Sequence, residues 1–255
     1  LATSIAKYVA PELRAGLRQQ AAATLTGWLT EFEAGSDQQT TTARTLVRLA
    51  RSGVAPEVLD AFLGEQPNAY QVTVDEQLLW GSYIALSAAG RLDGAAEARM
   101  HEAAKANPPS VAQNSVRTAL AARPDPQAKD TAFDTVLMAR DEQGELSNDA
   151  LSATALGFTL GSAALLAPFE ERYWAAILPV FETMGMEFAT RVIEGLYPGH
   201  QDLHGSIEQN KALATSTTWL ERHEGAPAAL KRILLEERAE LQRSLQAQAY
   251  SRASR

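Results

Sequence analysis

The sequence contains no cysteine, and this absence excludes disulfides, thiolate metal ligands and cysteine nucleophiles. It also lacks an apolar run of about 18 residues, so we expect no membrane-spanning helix and no membrane partner. The first residues do not show the charged, apolar and small-residue regions of a signal peptide, so we expect none. A protein without cysteine suits a reducing compartment, so we expect a cytoplasmic location, although some exported proteins also lack cysteine.

The motifs of several common enzyme classes are missing as well. Neither a G-x-x-x-x-G-K-[ST] loop nor a G-x-G-x-x-G loop occurs, and no serine occupies a G-x-S-x-G turn. Basic residues are outnumbered, with 23 lysines and arginines against 31 aspartates and glutamates and a net charge of −8. Nucleic-acid-binding proteins normally show a basic surface, so we expect no nucleic-acid partner.

Helical periodicity is present over almost the whole length of the chain. Apolar residues recur at helical spacing, as in Leu79, Tyr83 and Leu86, whereas sustained two-residue alternation is absent. Breaks that contain glycine, proline or capping residues separate about a dozen predicted helices. We expect Pro11 and Pro179 each to kink a helix or to start a new one.

We predict an all-α fold, a HEAT-like α-solenoid of stacked antiparallel helix pairs that forms a single domain over residues 1–255. A faint repeat relates residues 37–40 to residues 75–78, and its offset of 38 residues is close to the roughly 40-residue period of helix-pair repeats. A compact, non-repeating helical bundle is the structural alternative. Because the chain begins at Leu1 and helical periodicity starts at once, we expect it to be a piece of a longer protein.

Residues Met100 to Lys105 read M-H-E-A-A-K, one substitution away from H-E-x-x-H, the zinc-binding helix of metallopeptidases. That motif needs a second imidazole four residues after the first, where this chain has Lys105, a cation that would repel zinc. A catalytic zinc also needs about three protein ligands. We therefore interpret His101 and Glu102 as part of an alanine-rich surface helix rather than as metal ligands.

The other histidines offer no better set of ligands. His200 and His204 are four residues apart with Asp202 between them, but glycine and proline flank them, so we expect solvated loop histidines rather than a metal site. The pair His223-Glu224 is followed by glycine and proline, which end the helix before a second ligand.

Other residues that could carry chemistry have structural interpretations. We expect Glu145 and Asp149 to act in helix N-capping. Four tryptophans lie at positions of apolar stripes, where core packing is the expected role, namely Trp28, Trp80, Trp174 and Trp219. From its residues alone, the chain is predicted to have no catalytic, cofactor-binding or metal-binding residue.

Several short segments follow one another in a distinctive order over roughly residues 35–245. They are Gly35–Gln39 with Ala43-Arg44, Asp75–Trp80 with Ala88–Arg91, Ala121–Pro124 with Ala128-Lys129, Glu145–Asn148, Leu166–Phe169 with Tyr173–Ile177, and Val192–Pro198. This order resembles the C-terminal helical domain of aminopeptidase N, particularly of the actinobacterial kind. It is also similar to the C-terminal domain of the endoplasmic-reticulum aminopeptidases.

The resemblance implies a zinc-dependent parent enzyme that removes N-terminal residues from peptides. In that family an H-E-x-x-H motif with a distant glutamate holds the zinc, and a G-x-M-E-N segment binds the substrate's amino group. Both lie in an N-terminal catalytic region that this chain lacks. The nearest string here, Met184 to Phe188, has Phe188 in place of the asparagine and a helical context. No catalytic residue is carried over, and this segment alone is predicted to be inactive.

The resemblance also implies a role for the chain. The family's domain is a bowl of paired helices that closes over the catalytic cleft, so the expected partners are the parent's own catalytic domain and a peptide substrate on the concave face. Two other hypotheses stay open. One is a free-standing helical-repeat adaptor that binds a protein or peptide; the other is a self-sufficient metal hydrolase that uses His101, His200 or His204.

Overall fold

The computed structural model describes residues 1–106 and 109–254, and most of them belong to α-helices. The first seven are α1 (Ala2–Tyr8), α2 (Pro11–Glu31), α3 (Asp37–Ala50), α4 (Pro56–Leu63), α5 (Glu76–Ala88), α6 (Gly94–Ala106) and α7 (Pro109–Ala121). The next seven are α8 (Pro126–Met138), α9 (Asn148–Thr159), α10 (Ala163–Leu166), α11 (Glu170–Thr183), α12 (Met186–Leu196), α13 (Lys211–Arg222) and α14 (Ala228–Ala253). The prediction of an all-α fold is confirmed.

Helices begin at capping residues and prolines. The Ser36 hydroxyl accepts a hydrogen bond from the Gln39 amide at 3.2 Å and so caps α3. Pro11 is the first residue of α2, a position where the missing N–H of proline costs nothing. Pro179, in contrast, lies inside α11 and does not start a helix.

A short β-hairpin, which the sequence did not predict, precedes α9. Strand β1 (Arg140–Asp141) pairs antiparallel with β2 (Gly144–Glu145). Glu145 therefore belongs to a strand, and the capping residue of α9 is Ser147, whose hydroxyl accepts from the Ala150 amide at 3.2 Å. The prediction that Glu145 and Asp149 cap a helix is wrong, because the serine between them takes that position and leaves Asp149 in the first turn.

The helices pack in two layers. In the first layer α3, α5, α7, α9, α12 and α14 each contact the next one in this order. The second layer consists of α4, α6, α8, α11 and α13, and each of these helices packs against the first-layer helix that follows it in the chain. Neighbouring helix pairs are thus stacked through the first layer. The HEAT-like curvature of the predicted solenoid stays a prediction.

The beginning and the end of the chain contact each other, because α1 packs against α14. The Ser251 hydroxyl accepts a hydrogen bond from the Ala10 amide at 2.8 Å. The Lys7 carbonyl accepts from the Ser244 hydroxyl at 2.8 Å and from the Gln248 amide group at 3.1 Å. These bonds anchor the short helix α1, which is too short to be stable alone.

Glycines allow first-layer helices to approach closely. A Cβ atom on Gly157 of α9 would lie 2.4 Å from the Thr118 carbonyl oxygen of α7, and one on Gly195 of α12 would lie 2.7 Å from the Cβ of Ala155 on α9. Both distances are shorter than van der Waals contact. Only glycine therefore fits at these two contacts without a shift of the helices.

Lys129 of α8 is fully buried and joins the ends of two first-layer helices. Its ammonium group donates to four backbone carbonyls, those of Ala121 at 2.7 Å, Gly157 at 2.9 Å, Phe158 at 3.0 Å and Leu160 at 2.9 Å. These carbonyls belong to the C-terminal ends of α7 and α9, where backbone donors run out, although the Gly157 carbonyl also accepts from the Leu160 amide at 3.1 Å. Lys129 thus satisfies acceptors that burial would otherwise leave unpaired.

The apolar interior consists of two large clusters and a smaller one. The first involves helices α1 to α6, the second involves the helices from α7 onward, and the third joins α5, α6 and α7 around Trp80 and Met100. Over the part of the chain that the structure describes, no helix combines the length and apolar character needed to cross a membrane.

Candidate functional site

The M-H-E-A-A-K segment, one substitution away from H-E-x-x-H, lies on the surface, as predicted. His101, Glu102 and Lys105 are all exposed on α6. The Lys105 ammonium donates to the Glu102 carboxylate at 2.8 Å, and the Nε2 of His101 lies 3.8 Å from a carboxylate oxygen of Glu97 one turn earlier. The residues that would serve as base and second ligand in a metallopeptidase are thus engaged in a surface ion pair.

The remaining histidines also lie where the sequence placed them. His200 and His204 are exposed in the non-helical segment that follows α12, and Asp202 between them accepts a hydrogen bond from Arg14. His223 follows the end of α13 and stacks on Trp219, with ring centroids 4.2 Å apart. Within residues 1–106 and 109–254, no group of three or more histidine, aspartate or glutamate side chains could hold a metal ion.

The string Met184 to Phe188 forms the start of a helix. Gly185 is the N-cap of α12, and the helix begins at Met186. The Glu187 carboxylate accepts hydrogen bonds from Asn148 at 2.6 Å and from Arg191 at 3.2 Å. This helical context, which the sequence predicted, differs from an extended segment that could bind a peptide's amino group.

Three tryptophans pack in the interior as predicted, namely Trp80, Trp174 and Trp219. The prediction is wrong for Trp28, which is 44% exposed and contacts Phe32 at a centroid distance of 6.2 Å. The buried stripe of α2 runs through Leu25 and Leu29 instead. Because consecutive residues are about 100° apart around a helix, Trp28 lies beside this stripe rather than on it.

The first layer carries a groove between α3, α5 and α7 with a volume of about 340 Å³. Its lining includes Arg44, Arg48, Arg51, Trp80, Ile84 and Val111. We call it the arginine groove. Among the described residues, none from the second-layer helices α4 and α6 lines it, so the groove opens on the face of the first layer that points away from them.

Three arginines define one wall of the arginine groove. Arg44, Arg48 and Arg51 follow one another at four- and three-residue spacing, which places their side chains on the same face of α3 and its C-cap. Arg44 forms an ion pair with Asp75 at 2.6 Å. Partial burial raises the pKa of Asp75, but hydrogen bonds from the Leu78 amide and from Arg44 outweigh this effect and hold the pKa below its usual value.

The other two arginines have no counter-charge in the described part of the chain: neither Arg48 nor Arg51 forms an ion pair with a carboxylate there. Burial lowers the pKa of Arg51, and the neighbouring Arg48 lowers it further. A guanidinium group nevertheless stays charged at neutral pH. The wall therefore presents positive charge that the described carboxylates do not neutralise.

Three residues of the groove lining carry hydrogen-bond donors without acceptors. The Nε atoms of Arg44 and Arg51 and the indole Nε1 of Trp80 are buried, and none of them has a partner among the residues that the structure describes. Trp80 itself is only 4% exposed and packs in the cluster around Met100 of α6. Unpaired buried donors are rare in folded proteins, but these three atoms are closed to solvent and are therefore not presented to a ligand in the open groove.

No sequence-based prediction covered this groove, because arginines on helix faces are usually solvated. The recurrence of arginine at positions 44, 48 and 51 was visible in the sequence and would have predicted a basic stripe on one helix. Its pairing with Trp80 and Val111 could not be predicted, because those residues reach the groove only when α5 and α7 pack beside α3.

The described residues form a layered helical structure with a basic groove. They contain no cluster that could bind a metal ion. The sequence profile of the family described as "ERAP1-like C-terminal domain" matches residues 2–243, and the chain belongs to this family. The chain is also 32% identical over 252 residues to "Aminopeptidase N" of Streptomyces lividans. This alignment covers 98% of the chain but only 28% of that relative's length. The resemblance predicted from the ordered segments is thus confirmed.

Proposed function

We propose that the chain is the non-catalytic C-terminal domain of a zinc aminopeptidase, where it covers the catalytic cleft and limits which peptides reach it. The observation that carries the proposal is the alignment of almost the whole chain with about a quarter of an aminopeptidase N. The family match over residues 2–243 supports the same assignment. The peptidase chemistry and its zinc would then belong to residues outside this chain, and we expect the parent to work in the cytoplasm.

The arrangement of the helices suits such a role. Stacking through the first layer leaves one face of that layer free of second-layer helices, and repeated helix pairs commonly use such a face for extended ligands. The arginine groove on this face offers a surface for a peptide. The proposed partners are accordingly the parent's catalytic domain and the peptide substrate.

Cleavage of peptides that share an N-terminal residue but differ in length tests the proposal. We expect the complete enzyme to distinguish short from long peptides, and a form lacking residues 1–255 to lose this distinction. A small chromogenic aminoacyl amide serves as control, because its hydrolysis shows whether the truncated enzyme still folds. If the truncated enzyme is inactive, adding back the separately produced chain should restore the length preference.

If the enzyme cleaves short and long peptides at the same relative rates with and without the domain, the domain does not limit access to the catalytic cleft. Determining the gene sequence upstream of Leu1 is an independent test. We expect an H-E-x-x-H motif and a downstream glutamate in the same reading frame. A start codon directly before Leu1, together with a co-purifying protein partner, would instead support the free-standing adaptor.

A further inference from the structure

We propose that the arginine groove binds an acidic peptide segment, with a carboxylate held by Arg48 and Arg51 and a neighbouring apolar side chain held against Ile84 and Val111. The inference deepens the proposed function, on which it rests for the idea that the ligand is a peptide substrate. It predicts that the domain favours peptides with a carboxylate downstream of the bond to be cleaved.

Arg48 and Arg51 lack a carboxylate partner among the described residues although the chain carries a net charge of −8. Arg44, in contrast, is paired with Asp75. An incoming anion would therefore find two neighbouring guanidinium groups without a described counter-charge, and hydrogen bonds between charged groups are about twice as strong as neutral ones.

A carboxylate suits two neighbouring guanidinium groups. It has two oxygens that accept several hydrogen bonds and donate none at neutral pH. Arg48 and Arg51 are three residues apart on one face of α3 and its C-cap, so one carboxylate between them would provide a counter-charge for both.

The apolar part of the lining favours a peptide over a bare anion or a nucleic acid. Val111 on α7 is 47% exposed, and Ile84 and Val47 line the groove beside the arginines. Ile84 and Val47 are only 9% and 2% exposed, so Val111 is the apolar side chain that an inorganic anion would leave wet and that a peptide could cover with an aliphatic side chain. A nucleic acid would need a long basic stripe, whereas the basic part of this lining is limited to three arginines.

Fluorescence anisotropy of a dye-labelled peptide with the 255-residue chain tests the inference without any need for peptidase activity. The probe is Gly-Ser-Leu-Glu-Leu-Glu-Leu with an amidated C-terminus, and its partner has glutamine in place of both glutamates. We expect the acidic peptide to bind at least tenfold more tightly, and the difference to shrink as salt is added. A third peptide, the glutamine version with a free C-terminus, shows whether a terminal carboxylate can replace an acidic side chain.

Substitutions in the groove identify the binding residues. We expect the double variant R48Q/R51Q to bind the acidic peptide at least tenfold more weakly than the unsubstituted chain. R222Q is the matched control, because Arg222 is exposed on α13 and its loss changes the charge in the same sense outside the groove. V111D is an independent variant that places a negative charge in the groove at an exposed position and should also weaken binding.

Equal binding of the acidic peptide and both glutamine versions would overturn the inference, and so would undiminished binding by R48Q/R51Q and V111D. Thermal unfolding of each variant shows that a loss of binding does not reflect a loss of fold. If the acidic peptide does not bind, the peptide-length experiment can still support the role of the domain in covering the cleft. Conversely, an unchanged length profile together with tight acidic-peptide binding would reject the gating role and keep the groove as a peptide site.

Discussion

The contact between α7 and α9 gives the sharpest test of how the first layer is built. Replacing Gly157 by alanine would place a Cβ 2.4 Å from the Thr118 carbonyl oxygen and 2.7 Å from the Cβ of Ala121. Ordinary contacts between carbon and a carbonyl oxygen are about 3.3 Å or longer, so the two helices would have to move apart by about 1 Å. The neighbour is backbone, which a rotamer change cannot displace.

The magnitude follows from three contributions. Overpacking a tight contact costs about 1–3 kcal/mol. The helix separation would also strain the hydrogen bonds that join α7 and α9, the one from Thr118 to the Ala153 carbonyl at 2.9 Å and those of Lys129, at about 1 kcal/mol for each bond lost. Alanine in a helix regains about 1 kcal/mol over glycine. If one such bond is lost, its loss and the gain in helix propensity offset each other, so we expect G157A to lower the free energy of unfolding by about 1–3 kcal/mol.

Urea unfolding followed by circular dichroism measures this change, and G27A is the matched control. Gly27 also lies in the interior of a helix, α2, but a Cβ there would meet no atom within 4 Å. The control should therefore gain about 0.5–1 kcal/mol from helix propensity alone. If G157A were as stable as the unsubstituted chain, or gained stability like G27A, the close approach of α7 and α9 would not be a structural requirement.

Two further predictions concern charged groups that tie helices together. K129M should lower the free energy of unfolding by about 3–5 kcal/mol in urea, because buried carbonyls at the ends of α7 and α9 lose a charged donor, whereas K105M at the exposed surface should change it by less than about 0.5 kcal/mol; equal effects would contradict the role of Lys129. Hydrogen bonds from Lys7, from Arg243 and from the hydroxyl of Tyr8 lower the pKa of Glu240 to about 2. The unfolded chain, with a glutamate pKa of about 4.3, then binds more protons between these values, so this stabilisation is present above about pH 4.3 and is lost as the pH falls toward 2. We expect E240Q to be less stable than the unsubstituted chain by about 1 kcal/mol at about pH 5 and equally stable near pH 2, and a difference that does not change with pH would refute this assignment.

The segment around His101 and Glu102 shows how much of the local chemistry can be predicted from the sequence alone. Lys105 in place of a second histidine was enough to predict a surface helix, and the ion pair between Lys105 and Glu102 is what such a helix contains. The same reasoning predicted loop positions for His200 and His204. These conclusions depend on residue type and spacing within one turn of chain, which do not change when the rest of the molecule packs.

The two wrong predictions, for Trp28 and for Glu145, concern residues whose surroundings depend on neighbouring segments of the chain. Trp28 was assigned to the core from its apolar character, but the side of α2 that is buried depends on where α3 lies, and that side carries Leu25 and Leu29. Glu145 was assigned to a helix cap, but pairing with Arg140 across the hairpin makes it a strand residue. The packing of α3 against α2 decided the first case, and pairing within the short hairpin decided the second.

The sequence by itself determined the helical class, a kink or helix start at Pro11, and membership of the family through the order of its segments. Each of these depends on periodicity, capping chemistry or the linear arrangement of residues, all of which exist before the chain folds. Only the tertiary structure decided which helices share a layer, that α1 meets α14, and that three arginines of α3 face Trp80 and Val111 across a groove. These features join residues far apart in the chain, and their free energy comes from close packing, which no local pattern encodes.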